Sequence, residues 1–447
     1  MKLRLLSEAD SLAIYQAAIQ ILEEMGMLVM DQDTRGMLRE AGCGESEAGY
    51  LHFDEKLVQQ AITGVPDRMV LYDRNGDLAV DSADTLPHFA PGLNSISVLD
   101  HRSAEHRLYR LKDIEETVRL CDRLPNIDLA TGLGNPSDLP PSEQAIATVK
   151  AITEGTRKPL AFIAHDEKED EEIWSYLAEL AGGWERLAEK PFALDLTGPY
   201  SPLELGEEAC RRLRFAARRR LPVVCYPALI TGAAGPVTLA GAIAQSSAEI
   251  LAGIVVHQLE QPGAPVISGS AVLPMDLMTG GIAYGSPEYS LACLGAVDFF
   301  GDLKIPTWFG AGCSDSHTVD AQAAAEAGMN LQVAVLSGTS FIHNLGYLSA
   351  GKTGSLEMLV LCDEIAGSLK SFLKGIDVNE ESLAVDVTRR GYKDHSFMMD
   401  EHTLSHMRTA LWQPSIFQRA TREQWSELGS GQALDRIRER TTELLHS

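Results

Sequence analysis

The residues best able to do chemistry crowd one junction. GAGCSDSHTVDAQAAAEAG, beginning at Gly310, follows the apolar run IPTWF and leads into an alanine-rich helical pattern, with Cys313, Asp315 and His317 between them. Thiolate and imidazole together suit zinc, so Cys313 and His317 with the more distant His343 are one candidate metal set. The same cysteine with His317 as its base is a candidate nucleophile. Neither pattern is specific. Cys-x3-His is a weak metal spacing, nothing in the sequence brings the two side chains into contact, and a lone cysteine at a strand end is commonly a small packing residue. HExxH, DxDxDG and GxSxG motifs are all missing from the chain.

The elements that must position these groups repeat along the chain. From Ile127 onward a short apolar run ending in small or polar residues is followed each time by a helical pattern. The runs are IDLATGLGN, PLAFIAH, PFALDLTG, PVVCYPAL, PVISGSAV, PTWFGAG, TSFIHNLG and MLVLCDE. Five begin at a proline (Pro159, Pro191, Pro222, Pro265 and Pro306), which a strand tolerates at its first position and not inside. Apolar strands alternating with helices imply a parallel sheet buried on both faces, and eight such units close most simply into a (β/α)8 TIM barrel. A doubly wound open sheet is the competitor, but no Gly-rich dinucleotide fingerprint follows the early strands. The expected organisation is an N-terminal α/β accessory region over residues 1–126, the barrel over 127–375 and a mostly helical C-terminal extension over 376–447. The accessory region opens with a helix capped by Ser7, with Leu12, Ile14, Tyr15, Ala18, Ile19 and Leu22 on one stripe.

A barrel of this kind carries its reactive groups at the C-terminal ends of its strands. That rule nominates Asn135, His165, Thr197 to Tyr200, Tyr226, Ser270, Cys313 to His317, His343 with Asn344, and Asp363 with Glu364. Aromatic residues near the same end are Phe89, Tyr200, Tyr226, Phe309 and Tyr347, and rings that converge there would attract a quaternary ammonium group with their negative faces. The stretch GGIAYGSPEYSL offers a Gly-rich lead-in to a helix with Ser286 as its cap and Pro287 at its first position. It lacks a Walker lysine and is a poor phosphate loop.

Composition removes other classes. The chain has 447 residues, 45% hydrophobic and 23% charged, as expected of a globular protein. Its net charge of −25 repels nucleic acid and anionic lipid. The basic run CRRLRFAARRRLP has arginines at helical spacing and reads as a solvated helix face. No secretory signal opens the chain and no run approaches a membrane span, so a cytoplasmic protein is expected. Seven scattered cysteines without a CxxC pair argue against a disulfide framework.

Several ordered stretches resemble the trimethylamine methyltransferase (MttB) superfamily. They are SISVLDHRSAEHRLYRLKDIEETVRLCDRLPNI, GPVTLAGAIAQSSAEILAGIVVHQ, GSPEYSLACLGAVDFFGDLKIP, GAGCSDSHTVDAQAAAEAG, NLGYLSAGKTGSLEMLVLCDEI and DEHTLSHMRTALWQP. The resemblance implies a (β/α)8 barrel and transfer of a methyl group from an amine to the Co(I) corrinoid (cobalamin) of a separate partner protein, with no cofactor held by this chain itself. The trimethylamine branch carries pyrrolysine near the end of the sixth barrel strand, the neighbourhood of GAGCSDSH, where this chain has ordinary residues. That is the pattern of the branch acting on quaternary amines such as glycine betaine. A betaine nitrogen is already positive and departs as a neutral amine, so no general acid, nucleophile or metal is demanded and no catalytic residue is assigned. The expected substrate-binding residues are Phe89, Asn135, Tyr200, Phe309, Asp315, His343, Asn344 and Tyr347. Asp315 would compensate the cation, and Asn135, His343 or Asn344 would meet the carboxylate. A homo-oligomer through the accessory and C-terminal regions fits the same reading. The alternatives are a metal-dependent barrel lyase or hydrolase using Cys313, His317 and His343, and a non-enzymatic quaternary ammonium binding protein.

Overall fold

The computed structural model describes residues 2–269, 271–393 and 396–446. Parallel segments follow one another round a ring. One arc pairs Val266–Ser268, Val223–Cys225, Ala193–Thr197 and Leu160–Phe162 in that order, and the other pairs Trp308–Gly310, Phe341–Leu345 and His88–Pro91. Single contacts join the arcs: Ser268 bridges Thr307, Ala130 bridges Leu160, and the amides of Asp128 and Leu129 donate to Phe89 O at 2.8 and 3.1 Å. The eight segments form a (β/α)8 barrel. The prolines that introduce its strands lack a donor, yet the carbonyls of Pro159, Pro222 and Pro306 accept from neighbouring segments and that of Pro191 accepts from Tyr72 N.

Strand alternation then selects the core. One inward residue from each segment (Ala90, Leu129, Ala161, Leu194, Val224, Ile267, Trp308 and Phe341) joins a single cluster. The antiparallel hairpin Val70–Tyr72 and Leu78–Asp81 adds Met69, Leu71 and Val80 to that cluster and plugs the end where the strands begin. Towards the other end the partly buried Ile163, Leu196 and Tyr226 cover it.

Two strands differ from the expectation. The eighth expected strand, MLVLCDE, lies inside the helix Leu356–Leu373, whose cap Ser355 accepts from Met358 N. That stretch is buried throughout, and an apolar run without period reads the same in a buried helix as in a buried strand. The missing strand is His88–Pro91, inside the stretch expected to be accessory. The ring therefore begins at His88, and Trp308–Gly310, sixth when counted from Ile127, is its seventh segment.

Helices wrap the ring. Ser7 caps Glu8–Glu24 in a reciprocal box with Asp10, but of the predicted stripe Leu12 points outward and is exposed. The helix Leu239–Glu260 corrects the expectation about membrane-length runs. It is long and apolar enough to cross a membrane, but 78% of its apolar window is buried, and it packs on the helices Glu8–Glu24, Glu55–Gly64 and Glu207–Arg219. The arginine run is not a simply solvated face either. Within Glu207–Arg219, Arg212 is buried against Asp195 and Asp170, while Arg214 and Arg218 pair with Glu260. After the barrel come the short helices Glu380–Leu383, Val385–Gly391, Glu401–His406 and Arg422–Glu427, and then Ala433–His446, which packs on Leu111–Arg123 and Leu356–Leu373.

Candidate active site

The C-terminal ends of the strands surround a cavity of about 360 Å3. Ile163 and Leu196 line its apolar depth, and Tyr226, Tyr284, Tyr347, His343 and Asn344 supply the aromatic and polar wall. Ile96 and Lys352 line it from exposed positions.

Each aromatic group is fixed by a different local device. The ring of Tyr347 lies where a Cβ on Gly92 would stand, so only glycine lets the ring approach that strand. Its phenol oxygen accepts from the amides of Leu93 and Asn94 at 2.6 and 2.8 Å and donates to Asn94 Oδ1 at 3.1 Å. Tyr226 meets His343 edge to face, ring centres 5.4 Å apart, with 3.3 Å between its hydroxyl and His343 Nε2. Trp308 lies 4.9 Å from the same imidazole on its other contact. Tyr284 sits on the loop before Pro287–Asp302, where Asp315 accepts from the amides of Tyr284 and Gly285 at 2.8 and 2.9 Å. Asp315 is held in turn through its own amide by Glu326 at 2.9 Å.

Asn344 has φ +75°, in the left-handed region that asparagine tolerates better than most residues, and pairing with His88–Pro91 shifts register between Ile342 and Leu345. Regular alternation would send adjacent side chains to opposite faces. This irregularity lets His343 and Asn344 both line the cavity. Non-glycine residues held in this conformation gather at ligand sites.

Burial sets the charge states. It depresses the His343 pKa to about 3, so the imidazole is neutral. It raises the phenols of Tyr226, Tyr284 and Tyr347, which stay protonated. Asp315 is also pushed up by burial, against the pull of its two amide donors. Among the described residues Lys352 is the one Lys, Arg, Asp or Glu side chain lining the cavity. The arrangement is a ring of neutral aromatic faces with a cation beside it.

The family model for trimethylamine methyltransferase (MTTB) matches residues 1–447. The chain belongs to that family. Its relatives include the trimethylamine methyltransferase of Methanosarcina barkeri (strain Fusaro / DSM 804), 30% identical over 90% of this chain and 83% of the relative. The glycine betaine methyltransferase of Desulfitobacterium hafniense (strain Y51) is 27% identical over 95% of this chain and 89% of its own. In fold the chain is similar to the crystal structure of the Methanosarcina barkeri monomethylamine methyltransferase, with a TM-score of 0.52 at 11% identity over 98% of this chain and 91% of that one. Membership of the family makes this chain a methyltransferase.

Of the residues expected to bind substrate, His343, Asn344 and Tyr347 line the cavity, together with Tyr226 from the wider strand-end set. Phe89 and Phe309 do not, because their neighbours Ala90 and Trp308 take the inward positions and alternation turns both phenylalanines towards the helices. Lys370 Nζ stands 5.1 Å from the centre of the Phe89 ring. Tyr200 is 63% exposed on the loop after Ala193–Thr197 and lies outside the lining. Asn135 is tied by its amide to Ser95 O at 3.1 Å and also lies outside. Asp315 stands one step behind the wall, as the anchor of the Tyr284 loop.

The candidate metal set is not assembled. Cys313 is buried with its sulfur 3.8 Å from Asn330 Nδ2, His317 is exposed with Nδ1 2.9 Å from Ser349 Oγ, and His343 faces Tyr226. Burial raises the Cys313 thiol well above its ordinary range, the opposite of an activated nucleophile. Among the described residues no three His, Cys, Asp or Glu side chains are grouped to hold a metal ion. Other strand-end groups serve structure. Glu169 holds His165 at 2.8 Å, Asp363 accepts from Asn126 N at 2.8 Å, and Glu364 accepts from the amides of Ser415, Ile416 and Phe417. Ser270 lies outside the described residues.

Sequence reasoning missed Asn94, Tyr284 and Lys352 as lining residues. The signal for Tyr284 was present, an aromatic residue flanked by small ones in GGIAYGS. Lys352, on a turn beyond the last barrel strand, had no comparable mark.

Proposed function

We propose that this methyltransferase takes its methyl group from a quaternary amine that carries a carboxylate, with glycine betaine as the reference substrate, and passes it to the Co(I) corrinoid of a separate partner protein. One observation carries the reading: three neutral tyrosine rings line a small cavity in which, among the described residues, the one lining residue of a charged type is a lysine. Ring faces attract a quaternary ammonium group without needing an ion pair. A betaine adds a carboxylate that Lys352 can meet, whereas a bare trialkylamine offers that lysine nothing. The volume lies within the range of small-molecule sites.

The corrinoid, when its protein is docked, supplies the cobalt nucleophile that accepts the methyl group. The residues of this chain bind and orient. Tyr226, Tyr284 and Tyr347 hold the ammonium group so that one N-methyl faces the open mouth, Ile163 and Leu196 keep water from its far side, and Asn344 and Lys352 fix the carboxylate. The nitrogen leaves as a neutral tertiary amine, so no proton need be supplied to it. Neutral His343, wedged between Trp308 and Tyr226, orders the wall. Exposed Ile96 and Lys352 leave the mouth approachable by a second protein carrying a planar macrocycle. All seven cysteines are free and buried, which suits a reducing cytoplasm.

The test is to mix the purified protein with a Co(I) corrinoid protein and a panel of amines and follow the cobalt absorbance. Glycine betaine or a close betaine should consume Co(I). Consumption with trimethylamine and none with any betaine would overturn the reading.

A further inference from the structure

Three helices leave a second cleft on the outside of the barrel. Glu8–Glu24, Glu55–Gly64 and Pro287–Asp302 all pack on the long helix Leu239–Glu260, and between them lies a space of about 570 Å3 that shares no lining residue with the strand-end cavity. It is the larger of the two, and its size is that of a small-molecule site. The first helix shows why the cleft stays open. Glu8, Ser11, Leu12 and Tyr15, three and four residues apart, face it together, so Leu12 of the apolar stripe stays 55% exposed at its lip.

The lining combines an apolar wall with hydroxyls and acids. Leu12, Ile62, Phe299 and Leu303 form the apolar part. Ser11 is 6% exposed, and its Oγ and the Oη of Tyr15 one turn later are buried without a hydrogen-bond partner among the described residues. Asp302 and Gln59 stand near these hydroxyls without closing a hydrogen bond on either. Native proteins seldom leave buried polar atoms in that state. Water alone would serve the hydroxyls but keep the apolar wall wet, a cost that an occupant with an apolar body relieves. Charge then gives the sign of its polar group. Glu8 and Asp302 bring carboxylates to the lining, and no described lysine or arginine lines it beside them. Arg4 spans Asp302 with two hydrogen bonds at 2.9 and 2.6 Å, whereas Glu8 has no ion pair among the described residues. Glu55 adds its negative charge beside Tyr15.

We propose that this cleft is a second ligand site, for a primary or secondary amine on an apolar aryl or alkyl body. The ammonium group sits between Glu8 and Asp302 and donates to the hydroxyls of Ser11 and Tyr15, while the carbon body covers Leu12, Ile62 and Leu303. A quaternary nitrogen has no N–H to give these oxygens, so the cleft selects a class of amine different from the one proposed for the barrel. An anion of the same shape is repelled. The inference does not depend on the identity of the methyl donor or acceptor.

Isothermal titration calorimetry of the full-length protein with phenethylamine tests it. One molecule should bind per chain with a Kd of roughly 1 mM or tighter, and saturating glycine betaine should leave that binding as it is. Hydrocinnamate, which carries a carboxylate in place of the ammonium group, should bind about tenfold more weakly or worse. Leu12→Lys sets a like charge at the lip on an exposed position and should weaken the amine by about tenfold, with methyl transfer unchanged. Should that variant fail to fold, Tyr15→Phe takes its place, since it removes only the hydroxyl and should weaken the amine by about tenfold as well. A protein that shows no saturable binding of phenethylamine would overturn the proposal. So would equal affinity for hydrocinnamate, displacement of the amine by glycine betaine, or an unchanged affinity in the folded variant.

Discussion

Gly92 and Lys352 act at the cavity in opposite ways, one by having no side chain and the other by carrying a charge. A methyl group at position 92 would overlap the Tyr347 ring, which must then leave the wall and release the amides of Leu93 and Asn94. Gly92→Ala should lower kcat/KM by about tenfold or more while the protein remains folded, since displacing one positioning group from a reacting geometry costs on that order. Steady-state kinetics with the best betaine checks this. Lys352→Met should raise KM for glycine betaine by about tenfold, the worth of one charge-assisted contact, with kcat little changed. Binding of tetramethylammonium, which has no carboxylate, should not move in the same variant. These two residues also mark the limit of legibility. His343, Asn344 and Tyr347 were readable because strand ends in a barrel are privileged places. Phe309 was misplaced because adjacent residues of a strand face opposite ways, and Phe89 because the strand His88–Pro91 that turns it outward was not recognised.

At the scale of elements, the helix Glu207–Arg219 docks on the barrel through a buried charge cluster. Arg212 donates to Asp195 and to the carbonyls of Ala164 and Leu196, and its Nε lies 3.8 Å from Asp170. Burial raises the pKa of Asp170 well above the ordinary carboxylate value, with the charge of Asp195 adding to the effect. A carboxyl group that holds its proton more tightly when folded costs stability as pH rises. The unfolded chain has already released that proton near pH 4, and the folded chain must release it from a site that resists ionisation. Stability from this group is therefore greatest below the unfolded pKa and falls as pH climbs through the raised folded one. Asp170→Asn removes the titration, so its denaturation midpoint should fall less than that of the wild type between pH 5 and pH 8. Arg212→Met should cost about 3–5 kcal/mol at neutral pH by leaving buried carboxylates unpaired. Urea melts at the two pH values check both. In the sequence the same arginines showed only helical spacing, because their partners lie on other elements, far away along the chain.

Across the whole molecule the barrel divides its labour between its ends. The hairpin that plugs the strand-start end contributes Leu71, fully buried beneath the inner cluster, while the cavity occupies the other end. Leu71→Ala should destabilise the protein by about 2–4 kcal/mol through the cavity it leaves, with KM for the methyl donor unchanged. Thermal melts read beside kinetics separate the two effects. The sequence by itself determined the repeating strand and helix pattern, the (β/α)8 architecture and the strand-end addresses of four residues of the cavity wall, Tyr226, His343, Asn344 and Tyr347. These follow from local rules of period, proline placement and capping, which act over a few residues. Tertiary structure alone decided that the ring closes with His88–Pro91, since a buried helix and a buried strand share one apolar pattern. It decided that Cys313 and His317 point apart, and that Tyr284 and Lys352 meet Tyr226 and Tyr347 round one space. Convergence of side chains from several loops is fixed by packing between elements, and spacing along the chain carries no record of it.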